Sequence, residues 1–471
     1  MPFDVGKTGQ APRGGPQRRR VAVVGAGVSG LSAAWLLSNA HDVVVYEREK
    51  RLGGHANTID APIGPDGAAV AVDTGFIVFN EANYPNFTAL LKKLGAASDE
   101  TCMSFAVSLR GGAVEYAGRS LASLFARPAS FVSPRHWGML RDVPRFHADA
   151  RSALAKGVDD DATLGAFLAA GGYGEGLIDD FLKPFAAAIW STPAADICDW
   201  PLGGFLRFFD NHGLLQFLDM PLWNTVAGGS RVYVEKLSRP IAGASRRSTP
   251  VVSIRREGSR VVVRDAAGGE DAFDDVVVAT HADEALALLD RPSDAERRLL
   301  GSFRYASNRA VAHTDPAMMP RRRLAWASWN YLGDAPAGDR PPEMRVTYWM
   351  NRLQNLPGAR DVFVTLNPPA SQREDAVIAA FDYAHPTFDV AAGRAQRELW
   401  SLQGAADGDP TAGRVECGAV WYCGSYFGAG CHEDGLQAGL AVAEALGGVR
   451  RPWRVDNESG RIVLPDAATV T

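Results

Sequence analysis

Val21-Ala-Val-Val-Gly25-Ala-Gly27-Val-Ser-Gly30 is the stretch of sequence that decides the fold. Its apolar start predicts a buried strand, Gly25, Gly27 and Gly30 form a GxGxxG pattern, and an apolar helix is expected to follow. The first glycine permits a tight turn, the second lets a pyrophosphate approach the backbone, and the third lets helix and strand pack closely. The helix N-terminus offers free N–H groups and a positive dipole end to an anion. The stretch therefore predicts a dinucleotide-binding βαβ unit.

An acidic residue closes this unit. Residues 41–46 predict the second strand, and Glu47 follows it directly. A carboxylate at this place accepts hydrogen bonds from an adenosine ribose 2′-hydroxyl, and its charge repels a 2′-phosphate. The alternative is a signal peptide or membrane helix that begins at Arg18-Arg19-Arg20. Glycines, Ser and Asn make this stretch a poor membrane span, and no other stretch reaches the roughly 18 apolar residues required, so we expect a soluble protein.

Composition narrows the class of protein. A chain of 471 residues predicts two or more domains, and 46% hydrophobic with 22% charged residues is ordinary for a globular protein. The net charge of −5 gives no reason to expect a nucleic-acid partner. Five cysteines without a CxxC pair or metal-ligand spacing predict a reducing, cytoplasmic location and no metal site.

The residues after Glu47 favour FAD over NAD as the dinucleotide. Arg51 precedes the pair Gly53-Gly54, as expected where backbone runs close to a long extended cofactor. Residues 72–76 predict another strand that returns into a tight turn at Gly75. Nicotinamide dehydrogenases have no need of these extra sites of close approach.

A similar arrangement occurs near the C-terminus. Residues 419–423 predict a strand, Gly424 and Ser425 a turn, and residues 435–446 a helix with many Gly and Ala. A helix with such small side chains can approach a flat ring system, with its N-terminus directed at a pyrimidine carbonyl or an anionic N1. The alternative is an alanine-rich helix packed on a sheet.

Together these residues resemble the flavin-containing amine oxidase superfamily, which includes protoporphyrinogen oxidases, phytoene-type desaturases and some fatty-acid isomerases. Three stretches are more closely similar to a bacterial group of predicted FAD-binding proteins, often encoded beside cyclopropane-fatty-acid-synthase-like methyltransferases. They are Gly53-Gly-His-Ala-Asn57, Asp73-Thr-Gly-Phe-Ile-Val-Phe-Asn80 and Tyr84-Pro-Asn-Phe87. The resemblance implies an α/β fold, namely a two-domain FAD-dependent oxidoreductase with a discontinuous Rossmann-like FAD domain and an α+β substrate domain.

The resemblance also implies the domain boundaries and the cofactor site. The expected parts are a disordered leader (1–18), the FAD domain (19–80, 223–290 and 415–450), the substrate domain (81–222 and 291–414) and a C-terminal tail (451–471). The expected FAD-binding residues are Gly25, Gly27, Val28, Ser29, Gly30, Glu47, Arg48, Arg51, Gly53, Gly54, His55, Asp73, Thr74, Gly75, Val252, Thr280, Gly424, Ser425, His432, Gly435 and Leu436. Among them Val252 is expected at the adenine.

His432 is the expected catalytic residue. In amine oxidases an aromatic side chain usually precedes the C-terminal helix and helps to cage the amine, and His432 stands at that position. With an ordinary pKa near 6.5 an imidazole there can act as base or acid at neutral pH. The alternative is a loop histidine bonded to backbone.

The resemblance and the aromatic richness of the expected substrate domain favour a small hydrophobic substrate, fatty-acyl or another lipid, that undergoes desaturation, oxidation or double-bond isomerisation by hydride transfer to FAD. His432 in place of the cage aromatic argues against an amine substrate. No second GxGxxG in a suitable context follows, which argues against an NAD(P)H site. Two alternatives stay open: a flavin amine oxidase, and a non-catalytic flavin- or lipid-binding or redox-sensing protein.

Residues 119–147 bear on partners. They interleave bulky apolar side chains with five arginines and a single acid, Asp142. The pattern is typical of a solvated helix with a buried apolar side, and also of a patch that rests on anionic lipid at the inner membrane face. The oligomeric state is left open.

Overall fold

The structure is a computed structural model that describes residues 18–159, 162–190, 194–211, 214–215, 221–333, 344–356, 358, 360–456 and 458–464. The expected leader, apart from Arg18, and residues 457 and 465–471 of the expected tail lie outside the described residues.

In chain order the strands are Arg20–Val24 (β1), Asp42–Tyr46 (β2), Thr58–Pro62 (β3), Ala69–Asp73 (β4), Val78–Asn80 (β5), Ser98–Thr101 (β6), Phe105–Leu109 (β7), Val114–Ala117 (β8), Trp223–Val226 (β9), Ser245–Arg246 (β10), Val251–Glu257 (β11), Arg260–Asp265 (β12), Glu270–Phe273 (β13), Asp275–Val278 (β14), Arg304–His313 (β15), Trp329–Gly333 (β16), Met344–Trp349 (β17), Phe363–Leu366 (β18), Val377–Thr387 (β19) and Ala419–Tyr422 (β20). The α-helices are Val28–Leu37 (α1), Pro85–Leu94 (α2), Leu121–Leu124 (α3), Pro134–Lys156 (α4), Leu164–Ala170 (α5), Glu175–Leu177 (α6), Lys183–Trp190 (α7), Leu202–Asn211 (α8), Arg231–Ser238 (α9), Ala282–Leu288 (α10), Asp294–Leu300 (α11), Met350–Leu353 (α12), Val390–Glu398 (α13) and His432–Leu446 (α14).

The first domain is built on a parallel sheet of five strands in the order β10-β2-β1-β14-β20. Val23 of β1 pairs with Val45 of β2 on one side and Val277 of β14 on the other. These strands are continuous apolar runs because both faces of the sheet are covered. Strands far apart in sequence therefore meet in one sheet, which is the discontinuous Rossmann-like arrangement predicted.

Helix α14 packs directly on α1. A Cβ added at Gly439 would lie 2.1 Å from the Ser29 carbonyl oxygen, and one added at Gly435 would lie 2.8 Å from the Ser29 hydroxyl. The small residues of this helix predict contact with a flat ring. In the structure these two glycines instead let the backbones of two helices approach.

The second domain contains a seven-stranded sheet in the order β19-β15-β18-β17-β16-β7-β8. All its strands come from the segments predicted to form the substrate domain, and α4 to α8 lie in those segments too. The second core contains fully buried side chains such as Phe146 and Leu206. Most strand pairs are antiparallel, but β7 and β16 run parallel.

The packing of four segments differs from the predicted boundaries. Helix α2 packs in the first core, where its N-terminal amides at Asn86 and Phe87 donate to the buried Glu433 carboxylate at 3.0 Å each. Side chains of α11 and α13 join the same core. Part of the expected tail does so as well, since Trp453 stacks on Trp35 with ring centroids 5.9 Å apart. The predicted boundaries keep neighbouring parts of the chain in one domain. A core, however, is formed by segments that are distant in sequence and meet in space, so these segments pack with the other domain.

Among the described residues, no helix combines the length and the apolar character needed to span a bilayer.

Candidate active site

A cleft of about 1310 Å³ opens at the carboxyl ends of β1, β2 and β14. In open α/β sheets this edge is where ligands bind. Of the residues predicted to bind the cofactor, the cleft is lined by Gly25, Gly27, Val28, Ser29, Glu47, Arg48, Arg51, Gly53, Gly54, His55, Gly75, Thr280, Gly424, Ser425 and His432.

The three glycines of the first loop have three different environments. Gly25 has φ of +97°, which only glycine adopts freely. A Cβ at Gly30 would lie 1.9 Å from the Gly25 carbonyl oxygen, so this position tolerates no side chain. A Cβ at Gly27 would meet no atom within 4 Å. Gly27 therefore faces open space in the cleft, as required where a pyrophosphate approaches backbone.

Two further glycine turns close on this loop. A Cβ at Gly54 would lie 3.0 Å from the Gly27 Cα, and one at Gly75 would lie 2.2 Å from the His55 carbonyl oxygen. The Arg51 guanidinium donates to the Gly54 carbonyl at 2.7 Å, which fixes the turn. Backbone from three turns thus forms one continuous wall.

Glu47 stands at the end of β2, as the βαβ pattern predicts. Its carboxylate accepts the Ala26 N–H at 2.8 Å and the Glu49 N–H at 2.9 Å. The two bonds hold the carboxylate at the rim of the cleft, with lone pairs left for a ribose. Beside it Arg48 pairs with Glu284 at 2.6 Å, an exposed contact.

Six predicted residues do not line the cleft. Gly30, Gly435 and Leu436 lie behind its wall, where they serve packing. Val252 was the expected adenine contact, but its side chain is half-exposed outside the cleft. Its neighbour Val251 lines the cleft instead, because successive residues of a strand point to opposite faces.

Asp73 and Thr74 support the wall from behind. Asp73 accepts the Ser230 N–H at 2.9 Å and a Gln354 side-chain N–H at 2.9 Å, which ties β4 to the start of α9. Burial raises the pKa of this carboxyl to about 6 in spite of the hydrogen bonds. The Thr74 hydroxyl lies 2.8 Å from the Tyr383 hydroxyl, on the opposite side of the cleft.

The opposite wall is the edge strand β19 of the second domain. Phe381, Tyr383 and His385 alternate along this strand, so their side chains share one face, and all three line the cleft. His55 stacks on Tyr383 with ring centroids 4.9 Å apart and lies edge-on to His385 at 5.3 Å. The ring of His281 lies 6.2 Å from that of His55.

His281, Tyr383 and His385 line the cleft but are not among the residues predicted from the sequence. A detectable signal was present in each case. His281 directly follows the predicted cofactor residue Thr280, and the alternation of Phe381, Tyr383 and His385 is typical of a strand with one aromatic face.

The imidazoles of this cluster are neutral at physiological pH. Burial, reinforced by the neighbouring imidazoles, lowers the pKa of His55 well below its usual value. Burial lowers the pKa of His385 to about 4 and also lowers that of His281. His55 Nε2 is buried and has no hydrogen-bond partner among the described residues. Such a group costs about 1–3 kcal/mol unless a ligand satisfies it.

His432 occupies a different environment from the one predicted. Its ring stacks on Phe76 with centroids 3.8 Å apart, and its Nε2 shares a hydrogen bond of 2.7 Å with the Tyr233 hydroxyl. Burial lowers the pKa of His432 to about 3. The expectation of an imidazole that titrates near neutral pH is therefore corrected, because no charged partner among the described residues compensates its desolvation. A catalytic role for this residue stays a prediction.

The cleft has the features that FAD requires. Gly27 provides an open approach for a pyrophosphate, and Glu47 stands where a ribose is expected. The volume exceeds the roughly 300–1,000 Å³ of sites for drug-sized ligands, as an extended dinucleotide demands.

Comparison with known proteins gives a family and a fold. The profile of the family described as "Flavin containing amine oxidoreductase" matches residues 28–317. L-Amino-acid oxidases of Bothrops jararacussu and Bothrops pictus are each 46% identical over 57 residues. That match spans 12% of this chain and only 11% of the length of those relatives.

Solved structures with a similar fold cover nearly the whole chain. A fatty acid isomerase from P. acnes, described as CLA-producing, has a TM-score of 0.63 at 17% identity, over 91% of this chain and 98% of its own. A putrescine oxidase bound to putrescine has a TM-score of 0.61 at 15% identity, over 91% and 99%. Cyclohexylamine oxidase from Brevibacterium oxydans IH-35A has a TM-score of 0.60 at 14% identity, over 91% and 99%. These similarities confirm the predicted two-domain α/β fold.

Proposed function

Since the chain belongs to the family of flavin-containing amine oxidoreductases, we propose that it is an FAD-dependent oxidoreductase whose substrate is hydrophobic and fatty-acyl in character. FAD as the predicted cofactor is confirmed by the family. When bound, it supplies hydride acceptance. The reaction is then a desaturation, an oxidation or a double-bond isomerisation.

The observation that carries the choice of substrate is the wall formed by β19. Phe381 and Tyr383 present aromatic surface to the cleft, and His385 and His55 beside them are neutral. Such a surface stabilises an uncharged, apolar group. Asp382, which also lines the cleft, is exposed at its rim.

An amine substrate fits this site less well. His432 stands where the cage aromatic of amine oxidases is expected, but its ring is stacked at 3.8 Å directly on Phe76. No substrate can enter between two rings that already touch. The fold itself accommodates acyl substrates, since a fatty acid isomerase is among the solved structures that share it.

The neutral imidazoles have a chemical role in this proposal. A neutral ring nitrogen can accept a proton released by a substrate carbon next to the carbon that loses hydride. His55 Nε2 is suited to this because it is buried and has no hydrogen-bond partner among the residues that the structure describes. Tyr383 stacks on its ring and holds it in place. Burial of the cluster also excludes water from the reacting atoms.

Anaerobic reduction of the bound flavin tests the proposal. The yellow protein is mixed without oxygen with unsaturated long-chain fatty acids in one series and with primary alkylamines and diamines in another. We expect fatty acids to bleach the flavin absorbance or to yield a positional isomer detected by gas chromatography with mass spectrometry. Bleaching by amines alone would establish the amine oxidase instead. If neither series bleaches the flavin or yields a product, the non-catalytic alternative is favoured.

A further inference from the structure

A cationic and apolar surface lies on the second domain, and none of its residues lines the cleft. We call it the basic-apolar surface and define it by two segments, 119–137 and 320–324. Of the eleven exposed large hydrophobic side chains in the described residues, five belong to it, with exposed fractions of 51% to 82%. These five are Leu121, Phe131, Val132, Trp137 and Leu324.

The apolar side chains are held outward by local structure. Trp137 donates its indole N–H to the Phe131 carbonyl at 2.9 Å, and the Phe125 ring stacks on Phe131 with centroids 4.2 Å apart. The 3₁₀ turn Arg323–Ala325 packs against α3, and Arg119 donates to the Trp326 carbonyl at 2.8 Å. Both segments therefore form one face of fixed shape.

The charge of this face is opposite to that of the chain as a whole. The two segments contain six arginines and no Asp or Glu, although the net charge of the chain is −5. Acids from other elements pair with Arg135, Arg322 and Arg323. Within the described parts of the chain, the guanidinium groups of Arg119, Arg127 and Arg321 form no ion pair, although the backbone N–H of Arg321 donates to the Glu115 carboxylate at 3.1 Å.

The structure also separates the two interpretations of residues 119–147. Helix α4 buries Met139, Val143 and Phe146 in the second core, so its later part is an ordinary helix with a buried apolar side. Ahead of Met139, Leu124 packs against the same core, but four other large apolar side chains, Leu121, Phe131, Val132 and Trp137, stay more than half exposed. Only the exposed apolar side chains of this first part indicate a binding partner.

We propose that the basic-apolar surface rests on an anionic phospholipid bilayer. Exposed Leu, Val, Phe and Trp enter the boundary between headgroups and acyl chains, and unpaired guanidinium groups bind phosphate. A nucleic acid could pair with the arginines but would leave Leu121 and Val132 in water. A second copy could cover the apolar side chains but would bring identical arginines together in a two-fold contact.

The proposal extends beyond the proposed function and does not depend on it. A lipid surface would be a source of acyl substrates, but the binding measured below takes place whether or not the enzyme oxidises them. Failure of one proposal is therefore distinguishable from failure of the other.

Co-sedimentation of the FAD-loaded full chain with vesicles tests it. One set contains phosphatidylcholine only, and the other contains phosphatidylcholine with phosphatidylglycerol. We expect binding to the second set that weakens as salt is added. The variant Arg127→Gln/Arg321→Gln should bind about fivefold more weakly for each arginine removed, and Leu121→Asp/Val132→Asp should abolish binding.

Leu222→Asp is the matched control, since Leu222 is 69% exposed and lies outside the surface. It should bind vesicles like the unmodified protein, and equal thermal midpoints and flavin content would show that all variants are folded. Equal binding by the Leu121→Asp/Val132→Asp variant would overturn the proposal, as would no binding by the unmodified protein. Dimerisation in analytical ultracentrifugation that this variant abolishes, without vesicle binding, would also overturn it and identify a second copy as the partner.

Discussion

The two walls of the cleft are built by different means. On the first domain, the wall is backbone: glycine turns around Gly27, Gly54 and Gly75 approach one another within van der Waals distance. On the second domain, the wall is side chain: Phe381, Tyr383 and His385 project from one edge strand. A backbone wall recognises a constant ligand, whereas a side-chain wall can change its ligand by substitution. The first is therefore suited to FAD and the second to the substrate.

This difference predicts opposite responses to mutation. On the backbone wall even one added methyl group should disturb the fold or the cofactor. On the side-chain wall larger changes should leave the cofactor bound and alter titration or turnover.

The largest effect is expected at Gly30. Gly30→Ala places a Cβ 1.9 Å from the Gly25 carbonyl oxygen, and the required backbone shift should lower the free energy of unfolding by about 3 kcal/mol or more. Gly27→Ala is the matched control, because its Cβ meets no atom within 4 Å. It should change the stability of the FAD-free protein by less than about 1 kcal/mol but impair FAD retention. Urea unfolding and flavin content measure both, and equal destabilisation by the two variants would contradict this account.

The next effect is a pH dependence from the side-chain wall. The pKa of His385 is lowered to about 4 by burial, so below its ordinary value of about 6.5 the unfolded chain binds a proton that the folded chain does not. Stability is therefore complete above about pH 6.5 and falls as the pH drops toward 4, by up to about 3 kcal/mol from this group. His385→Gln should remove this contribution and keep FAD. The test is the urea midpoint at several pH values, and an unchanged acid slope in the variant would refute the assignment.

Glu47 should show a smaller effect, confined to the cofactor. Glu47→Gln removes the charge that holds the Ala26 N–H and is available to a ribose. A charged hydrogen bond contributes about 1.5–3 kcal/mol, so we expect the dissociation constant for FAD to rise by about tenfold to a hundredfold. Titration of the FAD-free protein with FAD measures it. Arg48→Gln, which breaks only the exposed pair with Glu284, should change it much less.

The smallest effect is expected at His432. His432→Ala should keep FAD and lower turnover, because it removes the ring that stacks on Phe76. His432→Phe restores a ring of similar shape and should recover turnover to within about tenfold, whereas loss of a general acid or base costs about a hundredfold or more. If the Phe variant is as slow as the Ala variant, the imidazole takes part in the chemistry and the catalytic prediction is right.

The first wall is formed by backbone and the second by side chains, and this difference explains which site residues could be predicted from the sequence. Gly25, Gly27, Gly30 and Glu47 could be placed because their spacing is short and each residue type has one physical purpose. The dinucleotide-binding unit followed from that local pattern, whereas FAD and the two-domain fold were implied by the later glycine turns and by the resemblance. Val252 was misplaced by one residue, since sequence alone does not fix which face of a strand turns inward.

The contacts of the side-chain wall could not be predicted, although the alternation of Phe381, Tyr383 and His385 is visible in the sequence, because these residues meet His55 only in the folded chain. His55 and His385 are 330 positions apart in sequence yet have ring centroids 5.3 Å apart. The pKa of His432 was also beyond reach, since it depends on Phe76 and Tyr233, which burial brings around it. The backbone wall is encoded by local sequence motifs, whereas the side-chain wall arises only from tertiary packing.

The contact of α14 with α1 has a consequence for the life of each molecule. A ribosome makes residues 28–37 early and residues 432–446 late, and Gly439 must reach Ser29 before the two helices can pack. Until then the nascent chain exposes an incomplete cleft that lacks β20 and the turn at Gly424. The complete cleft therefore exists only once residues 432–446 have been made.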